Sequence, residues 1–552
     1  PMWWRKFARH EMTVEERYDD RDCLADLTRT DRPAWKIKQS TGQEYRVDRA
    51  QESKLHTGDK CIVAGTELKC EIVALNEDEG LVELKVGPKK TPPGHLCLIP
   101  DEFVSAEPIK QAIARYAEAW ERGEVASRAV DDLLNRRRPR VTGAELGTDP
   151  LADASDVVPR LDATTLCIQG PPGTGKTYTS AAIIAGLLRG GARVAVTAHS
   201  HQVVLNLMHD VAEALGRIGV DAPLYKVGGE GDDAAPAGGS LTPLKSTAIE
   251  EVLGDGPVLV GGTAWAFVRP ELAGQFDYLF IDEAGQVPLA NAVAVGQAAR
   301  NLVLVGDQMQ LAHPSQGSHP GDTGLSCLEY LLDGHATVPR DLGIFLGQSR
   351  RMHPDVCRFV SDAIYEGRLE SIPETARQRI LRGPGTSVVT AETGVVWVPV
   401  EHHGCAQKSD EECDAIVRIV EELLVRRVVG QDGVERAMTP DDILIVAPFN
   451  LQVRCLRGRV DPRVRIGSVD KFQGQEAAAV IVSLCASTLD EAPRGAGFLL
   501  SPNRLNVAVS RAQALAIVVG SPALVDVRCA SVDEMRLVNL LCHLVQYAEG
   551  MC

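Results

Sequence analysis

Apolar residues along the chain follow two textures. Between 161 and about 340, continuous apolar runs alternate with helix-like stretches, predicting strands at 165–168, 193–197, 258–260, 278–281 and 301–305. Runs without in-out alternation suit parallel strands covered on both faces. A second set at 343–346, 395–398, 443–446, 464–466, 479–484 and 516–519 repeats that texture. The pattern therefore predicts an α/β protein with two doubly wound domains, 161–340 and 341–552. Residues 35–100 differ. Short β-type runs at 60–63, 70–75 and 81–86 are parted by turn residues, so a small β-barrel or sheet is expected there. Residues 1–34 read as a docking segment, with Trp3, Trp4 and Phe7 as an apolar patch and 15–26 as an acidic helix. Residues 101–160 read as a helical stalk and linker, with a flexible connector over 141–156 after a helix-rich part over 109–138 that ends in Arg136-Arg137-Arg138-Pro139-Arg140. Such a run is a solvated helix end more often than a phosphate contact. Residues 228–240, rich in Gly, Ala and Asp, read as a surface loop.

Composition narrows the picture modestly. A net charge of −17 does not advertise nucleic-acid binding, but local grooves decide that, not the sum. No apolar run approaches the ~20 residues that span a bilayer, and no membrane partner is expected. The fourteen cysteines are scattered with no C-x-x-C pair, which points to reduced thiols in a cytoplasmic protein. The opening Pro1-Met2-Trp3-Trp4 suggests a chain cut from something longer.

The sharpest chemistry is Gly170-Pro171-Pro172-Gly173-Thr174-Gly175-Lys176-Thr177, placed after an apolar run and before a helix-like one. The glycines let successive N–H groups face one anion, and the helix start adds its positive end. Gly173, Thr174, Gly175 and Lys176 would cradle ATP, with Tyr178 beside them, and Thr177 would hold Mg²⁺. A second apolar strand ends in Asp282-Glu283. Asp282 would hold Mg²⁺ through water, and Glu283 would orient and deprotonate the attacking water. Two α/β domains share one phosphate loop, so ATP is expected in a cleft that the second domain closes.

Several longer stretches resemble one family. Asp282-Glu283-Ala284-Gly285-Gln286 and Gly306-Asp307-Gln308-Met309-Gln310-Leu311 resemble motifs II and III of superfamily 1 helicases. Arg351-Met352-His353-Pro354, residues 467–476 and residues 503–512 resemble the R-M-H-P motif and motifs V and VI. Order and spacing fit the Upf- and Dna-type branch, which moves 5′ to 3′, over about 161–521. The resemblance implies two tandem RecA-like P-loop domains with a small N-terminal β-barrel-like domain and a helical linker. It implies that Gln310 senses the γ-phosphate, that Arg351 and Arg511 reach across from the second domain as arginine fingers, and that Glu476 binds ribose or couples the two sites. Nucleic-acid contacts are implied at His199, Ser200, Thr263, Pro448, Asn450, Gln452, Ser468 and Asp470. Small hydroxyls, amides and backbone N–H groups suit gripping a phosphodiester chain without reading bases.

Two departures stand out. No Gln occurs between Gln111 and Gln169, where the family places an adenine reader, and Arg350 stands where the family often has a stacking Tyr. A guanidinium also stacks on a base. The N-terminal texture further resembles bacterial proteins in which this helicase follows a RecB-type nuclease, implying such a domain upstream of Pro1 or as a partner. The expected function is an ATP-dependent 5′→3′ helicase or translocase on single-stranded DNA. The alternatives are an ATP-gated clamp serving a nuclease and a small-molecule P-loop enzyme.

Overall fold

A computed structural model describes residues 9–88, 90–101, 105–143, 146, 154–229, 239–311, 319–383, 388–469, 471–472 and 474–550. Trp3, Trp4, Phe7, Asp470 and most of the 228–240 loop lie outside the described residues. The chain divides into two units. A barrel unit comprises Pro1–Val104, Arg377–Ser501 and Arg511–Cys552, and a phosphate-loop unit comprises Ser105–Ala376 and Pro502–Ser510.

The barrel is built from β1 (Leu24–Arg29), β2 (Trp35–Ile37), β3 (Ser40–Arg46), β4 (Lys60–Val63), β5 (Lys69–Asn76), β6 (Leu81–Val86) and β7 (His95–Pro100). Their order is β1-β7-β4-β5-β6-β3, and a β1–β3 pairing closes the ring, with β2 hanging on β3. Closure pairs each of the six ring strands on both sides. Alternating inward residues such as Ile72, Val82, Leu84 and Leu98 fill it. The acidic helix expected over 15–26 is shorter. It runs Val14–Asp19, opened by a Thr13–Glu16 capping box, and the chain then enters β1. The alternation of β1 is broken by a register shift between Leu24 and Leu27 and by Asp26 at φ 57°.

The phosphate-loop unit holds one eight-stranded parallel sheet. Its strands are β8 (Thr165–Gln169), β9 (Arg193–Thr197), β10 (Leu224–Val227), β11 (Thr242–Leu244), β12 (Val258–Gly261), β13 (Phe276–Ile281), β14 (Ala299–Gly306) and β15 (Gly343–Phe345). They lie in the order β11-β10-β12-β9-β13-β14-β8-β15. The pattern predicted 343–346 as part of the second set, and this is corrected. β15 pairs with β8 as an edge of the first sheet. The stretch expected to be a stalk is likewise packed in. Helices Glu107–Glu121 and Arg128–Leu134 place Ile109, Ala112, Val130 and Leu133 in the core under the sheet. The basic run is held by carboxylates, with Arg137 on Asp131, Arg138 on Asp341 and Arg140 on Asp132.

The barrel unit carries its own five-stranded parallel sheet, ordered Gly394–Pro399, Ala512–Gly520, Ala477–Ser483, Ile443–Val446 and Arg465–Gly467. Helix Asp410–Leu424 packs on it through Cys413, Ile416, Ile419 and Leu423. No described helix is long and apolar enough to cross a membrane.

Candidate functional site

In an open parallel sheet, ligands gather at the carboxyl ends of the strands. Reading those ends across the phosphate-loop sheet gives Thr263 after β12, His199 and Ser200 after β9, and Asp282 and Glu283 after β13. Next come Asp307 and Gln310 after β14, the phosphate loop after β8, and Arg350 and Arg351 beyond β15. Residues proposed for nucleotide chemistry thus occupy one side of the row, and those proposed for nucleic acid the other.

The phosphate loop is shaped by its glycines. Gly173 and Gly175 sit at φ 76° and 79°, in the left-handed region that other residues enter at a cost of about 1–2 kcal/mol. A Cβ on Gly173 would stand 2.6 Å from Cβ of Arg351. Helix Lys176–Arg189 starts directly after Gly175, aiming its free N–H groups at the loop. The Lys176 ammonium donates to the Gly170 carbonyl at 2.7 Å, and buried Thr174 donates its hydroxyl to Pro171 at 2.8 Å. Thr177 lies half-buried in the helix's first turn, and Tyr178 is 63% exposed with the Arg217 guanidinium 5.3 Å over its ring.

Asp282 is buried, and burial followed by the neighbouring Glu283 charge pushes its carboxyl up to about 7. Glu283 is half-buried and adopts φ 49°, its N–H donating to Asp282 Oδ1 at 2.9 Å. Strained backbone of this kind concentrates at functional sites. The turns after β13 and β14 touch backbone to backbone. A Cβ on Gly285 would stand 2.7 Å from the Asp307 carbonyl oxygen. These features fit a nucleotide with a divalent cation. The glycine cradle and helix start match phosphates, and the Asp282 carboxyl with the Thr177 hydroxyl matches a hard cation. Thr197 Oγ1 and Gln286 Nε2 are among the buried polar atoms with no hydrogen-bond partner among the described residues. Among those residues no cluster of His, Cys, Asp or Glu forms an all-protein metal site.

Arg351 belongs to the same compact unit as the phosphate loop. The neighbouring Arg350 N–H donates to the Gly173 carbonyl at 2.8 Å, and the Arg351 guanidinium donates to the Ser510 carbonyl at 3.2 Å. Its placement follows from β15, which delivers the chain beside the loop. Arg350 itself is exposed. Arg511 belongs to the barrel unit, is 3% exposed and donates to the Gln475 carbonyl at 3.3 Å. Glu476 is exposed and accepts from the Gln513 amide at 2.9 Å.

The candidate nucleic-acid residues divide. His199 is exposed, Ser200 caps helix His201–Ile218, and Thr263 and Pro448 are half-buried. Trp265 is partly exposed with its indole N–H on the Ser105 carbonyl, while Phe267 is core, edge-on to Phe276. Asn450, Gln452 and Ser468 do not present their side chains to solvent. Asn450 donates to the Tyr18 carbonyl at 2.8 Å. Gln452, 0% exposed, accepts from the Ser409 N–H and donates to Ser483 Oγ, both at 2.9 Å. Ser468 gives its N–H and hydroxyl to the Glu52 carboxylate at 2.7 and 2.5 Å. These three are tied inward because Tyr18 and Glu52 of the N-terminal segment, Ser409 before helix Asp410–Leu424 and Ser483 at a strand end supply their partners. Removing Glu52 would strand both Ser468 donors in a buried place. Glu52→Ala is therefore expected to cost about 1–3 kcal/mol of barrel-unit stability, read by chemical denaturation. A midpoint unchanged from the parent would show the contact to be idle.

Sequence reading passed over residues that complete the site: Asp307, Gln169, Tyr365 and Asn506. Asp307 is 2% exposed and takes hydrogen bonds from Tyr365, Gln310, Met309 and Gln169. Its burial raises its pKa, against the pull of Lys176 and those donors. The only signal was its place inside the motif III stretch.

Two family models, each described as an AAA domain, match residues 156–323 and 325–523. DNA-binding protein SMUBP-2 of Rattus norvegicus is 29% identical over 403 residues, 63% of this chain and 40% of that protein. DNA replication ATP-dependent helicase/nuclease DNA2 of Gallus gallus is 27% identical over 406 residues, 68% of this chain and 36% of that protein. The chain thus spans about two fifths of the length of these curated relatives. The likeness to the solved complex of Arterivirus nonstructural protein 10 (helicase) with DNA covers 88% of this chain and 78% of that one, at 14% identity and a TM-score of 0.40. On its motifs, its two AAA domains and these relatives, the chain is similar to the superfamily 1 helicases of the Upf/Dna type.

Proposed function

We propose that the chain is an ATP-dependent helicase or translocase that moves 5′ to 3′ along single-stranded DNA. One observation carries this reading. Adjacent strand ends of one sheet present a phosphate cradle, a strained acidic pair and a buried carboxamide on one side, and exposed or capping polar residues on the other. Turnover at one side can therefore change grip at the other through strands that share one hydrogen-bonded ladder.

Gly173, Thr174, Gly175 and Lys176 bind the phosphates of ATP, and Tyr178 and Arg350 offer flat faces to the base. Thr177 and Asp282 would hold Mg²⁺, which when bound supplies charge neutralisation on the phosphate oxygens. Glu283 orients the attacking water and takes its proton. Gln310 and Arg351 face charge developing on the transferred phosphoryl group. In the phosphate-loop unit, His199, Ser200 and Thr263 are the proposed strand contacts; in the barrel unit, Pro448 is one, and Asn450, Gln452 and Ser468 brace that unit's own loops. A cytoplasmic setting and service to a nuclease belong to the same proposal. The nuclease rests on likeness to a relative whose name includes that activity.

The test is ATPase activity with and without single-stranded DNA, followed by strand displacement on 5′- and 3′-tailed duplexes. Strong stimulation by the strand and displacement of the 5′-tailed duplex alone are expected. Absence of stimulation would remove the motor reading. Stimulation without displacement of either duplex would identify an ATP-gated clamp instead.

A further inference from the structure

Behind the strand ends, a buried relay backs Gln310 with residues that the roles above do not use. Tyr365, at the end of helix Pro354–Ile364, is 0% exposed. Its hydroxyl donates to Asp307 Oδ2 at 2.6 Å and accepts from Asn506 Nδ2 at 2.7 Å. The same Asp307 oxygen takes the Gln310 carboxamide N–H at 2.9 Å. Asn506 also donates to the Met309 carbonyl at 2.7 Å, and Asn503 donates to the Gln308 carbonyl at 2.8 Å. All of these residues belong to the phosphate-loop unit.

The donors and acceptors fix directions. The Tyr365 hydroxyl and the Gln310 amide both donate to the Asp307 carboxyl oxygen Oδ2. The Gln310 amide is thereby locked with its nitrogen toward Asp307, and one N–H remains for another acceptor. The Tyr365 hydroxyl has a single proton. Spending it on Asp307 obliges the hydroxyl to accept from Asn506, which it does. Asn506 spends both N–H groups, on Tyr365 and on Met309. Its carbonyl oxygen Oδ1, however, is buried with no hydrogen-bond partner among the described residues. A buried acceptor left unpaired is costly, and a partner gained in another state of a cycle would account for it.

We infer that Tyr365 is a positioning residue for ATP turnover. Its hydroxyl ties the carboxamide of Gln310, through Asp307, to helix Pro502–Val509, through Asn506. The inference rests on the reading that Gln310 meets the γ-phosphate. Tyr365 touches no substrate. It sets the angle of the group that does, and it couples that angle to a helix lying more than a hundred residues further along the chain. Removing the hydroxyl leaves the ring and its packing, so the fold is kept while the Asp307 oxygen loses its strongest tether.

The experiment uses the full chain. Tyr365→Phe is expected to lower strand-stimulated kcat by about 10- to 100-fold, the scale of a small misplacement of a reacting group. KM for ATP and affinity for single-stranded DNA should stay within about twofold of the parent, a margin worth under about 0.5 kcal/mol. Asn506→Ala should show the same split between kcat and KM. The deciding measurement is a double-mutant cycle. Gln310→Ala alone should lower kcat, and Tyr365→Phe added to it should cost nothing further, because both act through one carboxamide. Multiplying losses, or a Tyr365→Phe enzyme with parental kcat, would overturn the inference while leaving the γ-phosphate reading intact. Parental kcat in Gln310→Ala would overturn that reading, and this inference with it.

Discussion

Glu283→Gln is expected to bind ATP and single-stranded DNA as the parent does, while turnover falls by about 10²–10⁴-fold, the usual worth of a positioned general base. The carboxamide keeps the size of the side chain but cannot take a proton. The φ of 49° at this residue is a backbone feature, and its hydrogen bond to Asp282 is made by the backbone N–H, which the substitution keeps. The substitution should therefore leave the loop in place. Division of labour between the two carboxyl groups follows from their surroundings. Asp282 is buried and shifted upward, whereas Glu283 is only half-buried and open to water. Single-turnover measurement with saturating ATP isolates the chemical step. A chemical step at the parental rate would take Glu283 out of its role.

The second large effect concerns stability. In the barrel unit, His402 and Glu412 are both 0% exposed on their side chains, with His402 Nε2 3.0 Å from Glu412 Oε1. His402 Nδ1 lies 2.7 Å from Ser487 Oγ, which in turn accepts from the Cys405 N–H. Glu412 also accepts from Ser483 Oγ at 2.6 Å and from the Cys485 N–H at 3.0 Å. Ser483 then meets Gln452, so one buried carboxylate organises the end of strand Ala477–Ser483, the loop after it and the start of helix Asn450–Arg457. Glu412→Ala removes the acceptor and leaves three donors buried. The expected cost is about 3–5 kcal/mol, as for other broken buried pairs. Denaturant unfolding of the full chain measures it, with Glu412→Gln as a size-matched comparison expected to lose less. A loss below about 1 kcal/mol would mean that these donors find other partners.

How much of this was legible in the sequence depends on whether the information was local. Central strands β8, β9, β13 and β14 showed as continuous apolar runs because both their faces are covered. Edge strand β11, with two of its three residues exposed, gave no such signal. Strand β1 was hidden by its bulge and by the acidic helix before it. Strand β15 was visible as a strand but not as a member of the first sheet, since pairing partners are not written in a run of apolar residues. The same limit governs the site. Lys176, Thr177, Asp282 and Glu283 stood out because each motif is contiguous. Contacts between residues far apart in the chain left no such mark. Tyr365 reaches Asp307, Asn506 reaches Tyr365, and Glu52 reaches Ser468, none within a motif's span. Asn450, Gln452 and Ser468 were expected to contact the nucleic acid because the family resemblance implied it. Their burial is decided by the N-terminal segment and by Glu412's neighbourhood, which no spacing rule records.

The chain's route between its two units carries a practical consequence. It passes from one to the other near residues 104, 376, 501 and 510, so helix Pro502–Val509 belongs to the phosphate-loop unit although the segments flanking it belong to the barrel unit. Neither unit is a contiguous stretch of polypeptide. No single cut can release either one whole, and a fragment ending near residue 376 would lack Asn503 and Asn506 and leave the carbonyls of Gln308 and Met309 bare. Truncation is thus a poor way to dissect this protein, and splicing the short return segment back through a designed linker is the better one.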